Sequence, residues 1–169
     1  MIRPAAAADL VAVGELHHRS RRSAYAHLVP VELLDTVPAA ATAQWWVERW
    51  AYEQETHRLF TAWAGDRLAG FTYVGPGEEP GTSELYAIHV DPELVGSGVG
   101  RRLMETAEAA LVELGAPRAV LWVLSGNARA RRFYQRAGWA PDGGKRQAPM
   151  GPVMTDQLRY AKDWLGGST

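Results

Sequence analysis

Cysteine is absent from this chain of 169 residues, which excludes a disulfide framework, a thiolate zinc site and a cysteine nucleophile, and fits a reducing compartment. The five histidines are then the only soft metal ligands. The adjacent pair His17 and His18 diverges on a helix instead of converging on one ion, so no metal is expected. Charge of one sign is lacking too. Eighteen Lys and Arg against nineteen Asp and Glu leave a net charge of −1, so no whole-molecule field gathers nucleic acid or an anionic membrane, and any anion binding has to be local. No apolar run approaches the roughly 18 residues of a membrane span. Met1-Ile2-Arg3-Pro4 leads straight into strand-like and helical sequence, not into the apolar core of a signal peptide. The expectation is a soluble cytoplasmic protein that binds neither nucleic acid nor membrane. Linkers, internal repeats and low-complexity tracts are missing, so one domain over residues 1–165 is expected at this length, with the Gly166-Gly167-Ser168-Thr169 tail disordered.

What is present alternates strand and helix signals. Residues 1–4 read as a short strand ended by Pro4, and Asp9 as the N-cap of a helix whose apolar positions Leu10, Val13, Leu16 and Ala24 share a side. Pro30 opens a new segment, and from Pro38 the run through Trp45, Trp46, Trp50 and Tyr52 has helical spacing up to Thr56 or His57. Residues 58–63 and 68–74 read as a hairpin turned at Gly65-Asp66, closed by the Gly- and Pro-rich loop 75–81. A strand over 84–90, an amphipathic helix over 99–114 and a buried strand over 119–124 form a βαβ unit, which makes the two strands parallel neighbours. A helix over 127–136 ends at Gly138, and the stretch 153–160 returns antiparallel to the sheet. The fold class is α/β with one mixed sheet.

The βαβ turn carries the chemistry. Gly96-Ser97-Gly98-Val99-Gly100-Arg101 puts three glycines on alternate positions at a helix start, leaving backbone N–H groups uncovered where the helix dipole is positive. That combination makes a phosphate or pyrophosphate site. A dinucleotide fingerprint fails because its third glycine would fall on Arg101, and a Walker loop fails for want of Gly-Lys-Ser/Thr. A Gly-rich connection kept only for close helix packing is the competing reading.

The loop resembles the acyl-CoA pyrophosphate loop of the GNAT N-acetyltransferases, Gln/Arg-x-x-Gly-x-Gly/Ala, with Gly98 and Gly100 at the glycine positions and Val95 where the family usually has Gln or Arg. Asn127-Ala128-Arg129-Ala130-Arg131-Arg132-Phe133-Tyr134, followed by Gly138-Trp139, looks like the family's second motif. Ile2-Arg3-Pro4-Ala5 with Asp9 and Leu68-Ala69-Gly70-Phe71 extend the likeness outward.

The resemblance implies a mostly antiparallel sheet flanked by helices, with a parallel pair at the cofactor cleft, and acetyl-CoA as co-substrate. It implies that backbone groups of Ile88, His89 and Val90 meet the pantetheine and acetyl carbonyl, with Val90 N–H as the oxyanion donor. Gly96, Ser97, Gly98, Val99, Gly100 and Arg101 would cradle the pyrophosphate, Arg101 or Arg102 would add a charge-assisted bond, and Asn127 would contact the cofactor. Tyr134 becomes the general acid for the leaving thiolate. The position of the family's occasional glutamate base falls on Trp122, so Glu84 is the candidate base, acting directly or through water, with His89 or a water chain as substitutes. The acceptor is expected to be a small-molecule primary amine, with a groove involving Tyr25, His27, Trp45, Trp46 and the loop 143–151. A protein N-terminus or lysine, or a non-catalytic acyl-CoA sensor, are the other readings, and the Trp-rich helix leaves a homodimer open.

Overall fold

The computed structural model describes residues 1–164; the expected tail over 166–169 lies outside them. Seven strands form one sheet: β1 (Ile2–Pro4), β2 (Arg58–Ala64), β3 (Arg67–Pro76), β4 (Thr82–Val90), β5 (Arg118–Leu124), β6 (Ala140–Met150) and β7 (Val153–Asp163), in the order β1-β2-β3-β4-β5-β7-β6. Five helices accompany them: α1 (Leu10–Tyr25), the one-turn α2 (Val31–Leu34), α3 (Ala39–Glu53), α4 (Val99–Glu113) and α5 (Ala128–Arg136). Every strand pair is antiparallel except β4 with β5. The α/β sheet and its one parallel pair are therefore as the sequence predicts.

The helices divide between the faces by their apolar stripes. On one face α4 buries Val99, Leu103, Met104, Ala107, Ala110 and Leu111, while Phe133 and Tyr134 of α5 join the same cluster with Leu85, Leu121 and Val123 of the sheet. On the other, Leu10, Val13 and Leu16 of α1 and Trp46 of α3 close over Leu59, Phe71 and Tyr73. Burial of this order, about 1.5–3 kcal/mol for each large apolar side chain, fixes which face each strand residue must take. Gly138, at φ +89°, ends α5 in the left-handed region and turns Trp139 inward, where its Nε1–H donates to Glu108 Oε1 at 2.9 Å.

Three sequence expectations need correction. Ala24 is exposed, because the buried stripe of α1 ends at Ser20. Asp9 does not cap α1: its carboxylate accepts from Ala6 N–H at 2.7 Å and from both Arg3 Nη atoms, and so caps the preceding 3-10 turn. The segment 143–151 is no loop, since residues up to Met150 belong to β6, a strand that Pro141, Gly143, Gly144 and Pro149 disguise. It holds its extended form by pairing with β7, from Lys145↔Leu158 to Met150↔Val153.

The closest helix approach predicts its own test. A Cβ on Gly14 would sit 2.3 Å from Ala43 Cα and 2.6 Å from Ala43 N, so it would meet the backbone of α3. Gly14→Ala is expected to lower unfolding stability by about 1–3 kcal/mol through overpacking. A fall in the urea midpoint at unchanged slope would show it.

Candidate active site

The sheet opens beside β4. Its parallel pairing with β5 covers only Thr82↔Arg118, Ser83↔Ala119 and Glu84↔Val120, after which no pairing links the two strands. At the same level Tyr86 is an extra residue in β4, because Tyr73 pairs with Ala87 and Val74 with Leu85. The bulge shifts the alternation of side chains. Leu85, Ile88 and Val90 face α4, whereas Glu84, Ala87 and His89 face α1 and α3. Backbone groups follow the same logic. Asp91 N–H donates to Ala69 O at 2.8 Å, so by the alternation of an antiparallel ladder His89 turns its peptide groups toward β3. Ile88 and Val90 turn theirs toward the gap where β5 has left. Of the three residues expected at this gap, His89 turns its backbone to β3 and packs its ring against Ser20 and His17 of α1.

The loop after β4 is anchored at its start. Asp91, 2% exposed, lies 2.9 Å from Arg67 and 3.4 Å from Arg19 and accepts from Glu93 N–H at 3.0 Å. Burial pushes its carboxyl up, but the Glu93 N–H and the Arg67 guanidinium outweigh that and hold it below the usual range. Gly96 and Gly98 follow at φ +87° and +91°, and a Cβ on either would touch nothing within 4 Å. Their conformation, not crowding, requires glycine here. Gly98 is the N-cap of α4, whose first ladder bond runs from Arg102 N–H to Gly98 O, leaving the N–H groups of Val99, Gly100 and Arg101 without helical partners. Ser97 spends its hydroxyl on Leu94 O. A Cβ on Gly100 would sit 3.5 Å from both Val90 Cγ2 and Phe133 Cε2, so loop, β4 and α5 meet there. The Arg101 side chain is 84% exposed and pairs with Glu105 at 3.1 Å, and Arg102 is exposed.

Asn127 caps α5, accepting from Ala130 N–H at 3.1 Å. Arg131 is taken up inside the fold by Tyr160 Oη and Ser125 O, both at 3.0 Å, while Arg129 and Arg132 are exposed. Tyr134 is half-buried between Phe133 and Tyr160, with ring centroids at 5.6 and 6.3 Å, and its hydroxyl has no hydrogen-bond partner among the described residues. Burial, with the nearby Tyr25 adding to it, raises its pKa above the ordinary phenol value. The phenol therefore keeps its proton at neutral pH. Tyr25 comes from the end of α1.

On the α1 and α3 face, Glu84 is 6% exposed and lies where the parallel pairing ends. Burial raises its pKa to about 7, with Glu78 adding to the effect and Arg146 and Arg49 opposing it. Around it stand aromatic rings: Tyr86, whose hydroxyl donates to Pro76 O at 2.5 Å, and Trp122, which lies beneath Arg146 at 4.2 Å. His89 accepts or donates to Ser20 Oγ at 2.9 Å and lies 4.6 Å from the ring of His17, which takes the Trp46 indole N–H at 2.9 Å. Burial, with Arg21 adding, lowers the His89 pKa to about 4, so the ring is neutral across the physiological range. Of the expected groove residues, Trp46 is 1% exposed and belongs to the core, Trp45 is 44% exposed, and His27 is exposed. Sequence reasoning missed Arg49 and Arg146. A charge inside an aromatic helical run and a Lys-Arg pair following two glycines were the only signals.

The Acetyltransferase (GNAT) family model matches residues 17–139. Among curated proteins, the mycothiol acetyltransferase of Geodermatophilus obscurus is 38% identical over 86 residues, which are 48% of this chain and 28% of that protein. The chain thus spans under a third of the length of such relatives. A probable N-acetyltransferase of Mycobacterium tuberculosis is 27% identical over 147 residues, 84% of this chain and 80% of that protein. Among solved structures, the PaiA N-acetyltransferase of Thermoplasma acidophilum in complex with coenzyme A matches with a TM-score of 0.74 at 18% identity, covering 97% of this chain and 98% of that one. Nourseothricin acetyltransferase matches with a TM-score of 0.58 at 31% identity over 65% of this chain and 66% of that one.

Proposed function

The chain belongs to the GNAT acetyltransferase family, and from that membership we propose that it is an enzyme moving the acetyl group of acetyl-CoA to a primary amine of a small molecule, by direct attack in a ternary complex. The observation that carries this reading is the gap between β4 and β5 with a glycine loop at one end and an unpartnered phenol on its wall. Acetyl-CoA fits these residues: the open left-handed glycines and unbonded N–H groups suit a pyrophosphate, and a slot beside free strand groups suits an extended chain.

In this reading Val99, Gly100 and Arg101 N–H groups hold the pyrophosphate, with Gly96, Ser97 and Gly98 giving it room. Ile88 and Val90 donate and accept along the extended arm, and Val90 N–H polarises the acetyl carbonyl. Asn127 fixes the start of α5, and Tyr134 beside it gives its proton to the departing sulfur. Bound acetyl-CoA supplies an activated thioester. Glu84, about half ionised near pH 7, takes the proton of the ammonium form directly or through a water.

The base assignment predicts a pH profile. The rate should rise as Glu84 loses its proton through about pH 7, and in Glu84→Gln that limb should vanish together with about 10²-fold of the rate. A profile unchanged in shape and height would return the role to water. The whole reading is tested by calorimetric titration with acetyl-CoA and with CoA, followed by free-thiol release over a panel of amines. Binding with thiol release for one amine class is the expected result; no binding would overturn it.

A further inference from the structure

The acceptor side of Glu84 carries more cationic structure than amine transfer requires. Arg49 of α3 is fixed by Glu53, to which its Nε donates at 3.0 and 3.2 Å, and its guanidinium lies 4.9 Å from the Trp45 ring, 4.8 Å from Tyr73 and 5.3 Å from Tyr86. Arg146 of β6 donates from Nε to Gln157 Oε1 at 2.8 Å, and its guanidinium lies 4.2 Å from the centre of the Trp122 ring. Both side chains are half-buried, and among the described residues neither guanidinium gives a hydrogen bond from its Nη groups to a carboxylate or carbonyl. Arg159, which also reaches Trp122 at 5.7 Å, is by contrast ion-paired with both Asp142 and Glu79. Arg21 of α1, half-buried beside Tyr25 and His89, has no carboxylate partner among the described residues either. Against these three cations stand Glu84 itself, Glu53 already engaged with Arg49, and the exposed Glu78.

We propose that this face receives an acceptor bearing a carboxylate beside its amine, a free α-amino acid, with the Nη groups of Arg49 and Arg146 taking the carboxylate and Glu84 facing the amine. The inference rests on the acetyl-transfer reading given above and narrows its acceptor. Two guanidinium groups whose planes are fixed by rings and by Nε bonds lose little freedom when a carboxylate arrives, and their fork geometry fits its two oxygens. Trp45, Tyr86 and Trp122 supply apolar walls for the rest of the molecule. A peptide N-terminus has no carboxylate next to its amine, so this arrangement disfavours protein acceptors.

The test separates the clamp from the transfer. N-acetyl-tryptophan and N-acetyl-leucine, which are product-like and need no turnover, are titrated into the protein beside their C-terminal amides, with wild type and Arg146→Gln compared. The acids should bind saturably, and both the amides and the variant should weaken binding about 10- to 100-fold. Equal affinity for acid and amide, or no binding of either acid, overturns the proposal. Acetyl-CoA titration of the same samples reports on the transfer reading independently. Replacing Arg49 would disturb the aromatic packing of α3, so the amide ligands, which leave the protein untouched, carry the test there.

Discussion

Tyr134→Phe is expected to lower turnover by about 10²–10⁴-fold while leaving acetyl-CoA affinity within about threefold. The substitution removes one oxygen from a ring that packs against Phe133 and Tyr160, so the apolar contacts that hold α5 against the sheet survive. What disappears is the proton. In the folded protein the hydroxyl is committed to no neighbour among the described residues, and its raised pKa keeps it protonated through the neutral range. Without it the sulfur leaves as a thiolate in a half-buried slot, which is where an unneutralised charge is most costly. Steady-state kinetics with a saturating amine, beside calorimetry with CoA, separates the alternatives. Weakened binding at unchanged turnover would make Tyr134 a wall of the cleft and not its acid.

Gly98→Asp should act on the other half of the reaction, lowering acetyl-CoA affinity by about a hundredfold or more. At φ +91°, position 98 tolerates aspartate better than most side chains, and nothing lies within 4 Å of its Cβ, so the chain still folds. The left-handed backbone makes any side chain there costly, so some loss of stability is expected as well. The carboxylate would stand beside the N–H groups that the pyrophosphate needs and would repel the ligand. Gly98→Asn keeps the geometry without the charge and should lose less. Affinity unchanged in Gly98→Asp would mean that the pyrophosphate lies elsewhere.

The βαβ unit and its parallel pair are legible because α4 repeats its apolar residues with a clear helical period and β5 is short and apolar. The glycine loop is legible because positive φ leaves few alternatives to glycine. The bulge is not. Glu84 and His89 are five residues apart, and a regular strand would send them to opposite faces; only the extra residue at Tyr86 brings them to the same one. β6 was hidden for a different reason, since its prolines and glycines oppose strand propensity and its extended form comes from partner and hairpin. Arg49 and Arg146 were hidden because stacking on a ring is a property of two elements at once. Helical spacing describes only one.

The short β4–β5 pairing has one more consequence. An open sheet ordinarily presents two edges, here β1 and β6, and each is a template on which a foreign strand can grow. The parting of β4 from β5 creates a third edge in the middle of the sheet, with unpaired peptide groups of the same kind. Helices flank it on both faces of the sheet, α4 and α5 on one and α1 and α3 on the other. A polypeptide strand with side chains on both faces would have to force those helices away from the sheet, whereas a slender unbranched chain would not. The fold thus keeps exposed backbone available for pairing while denying it to aggregation.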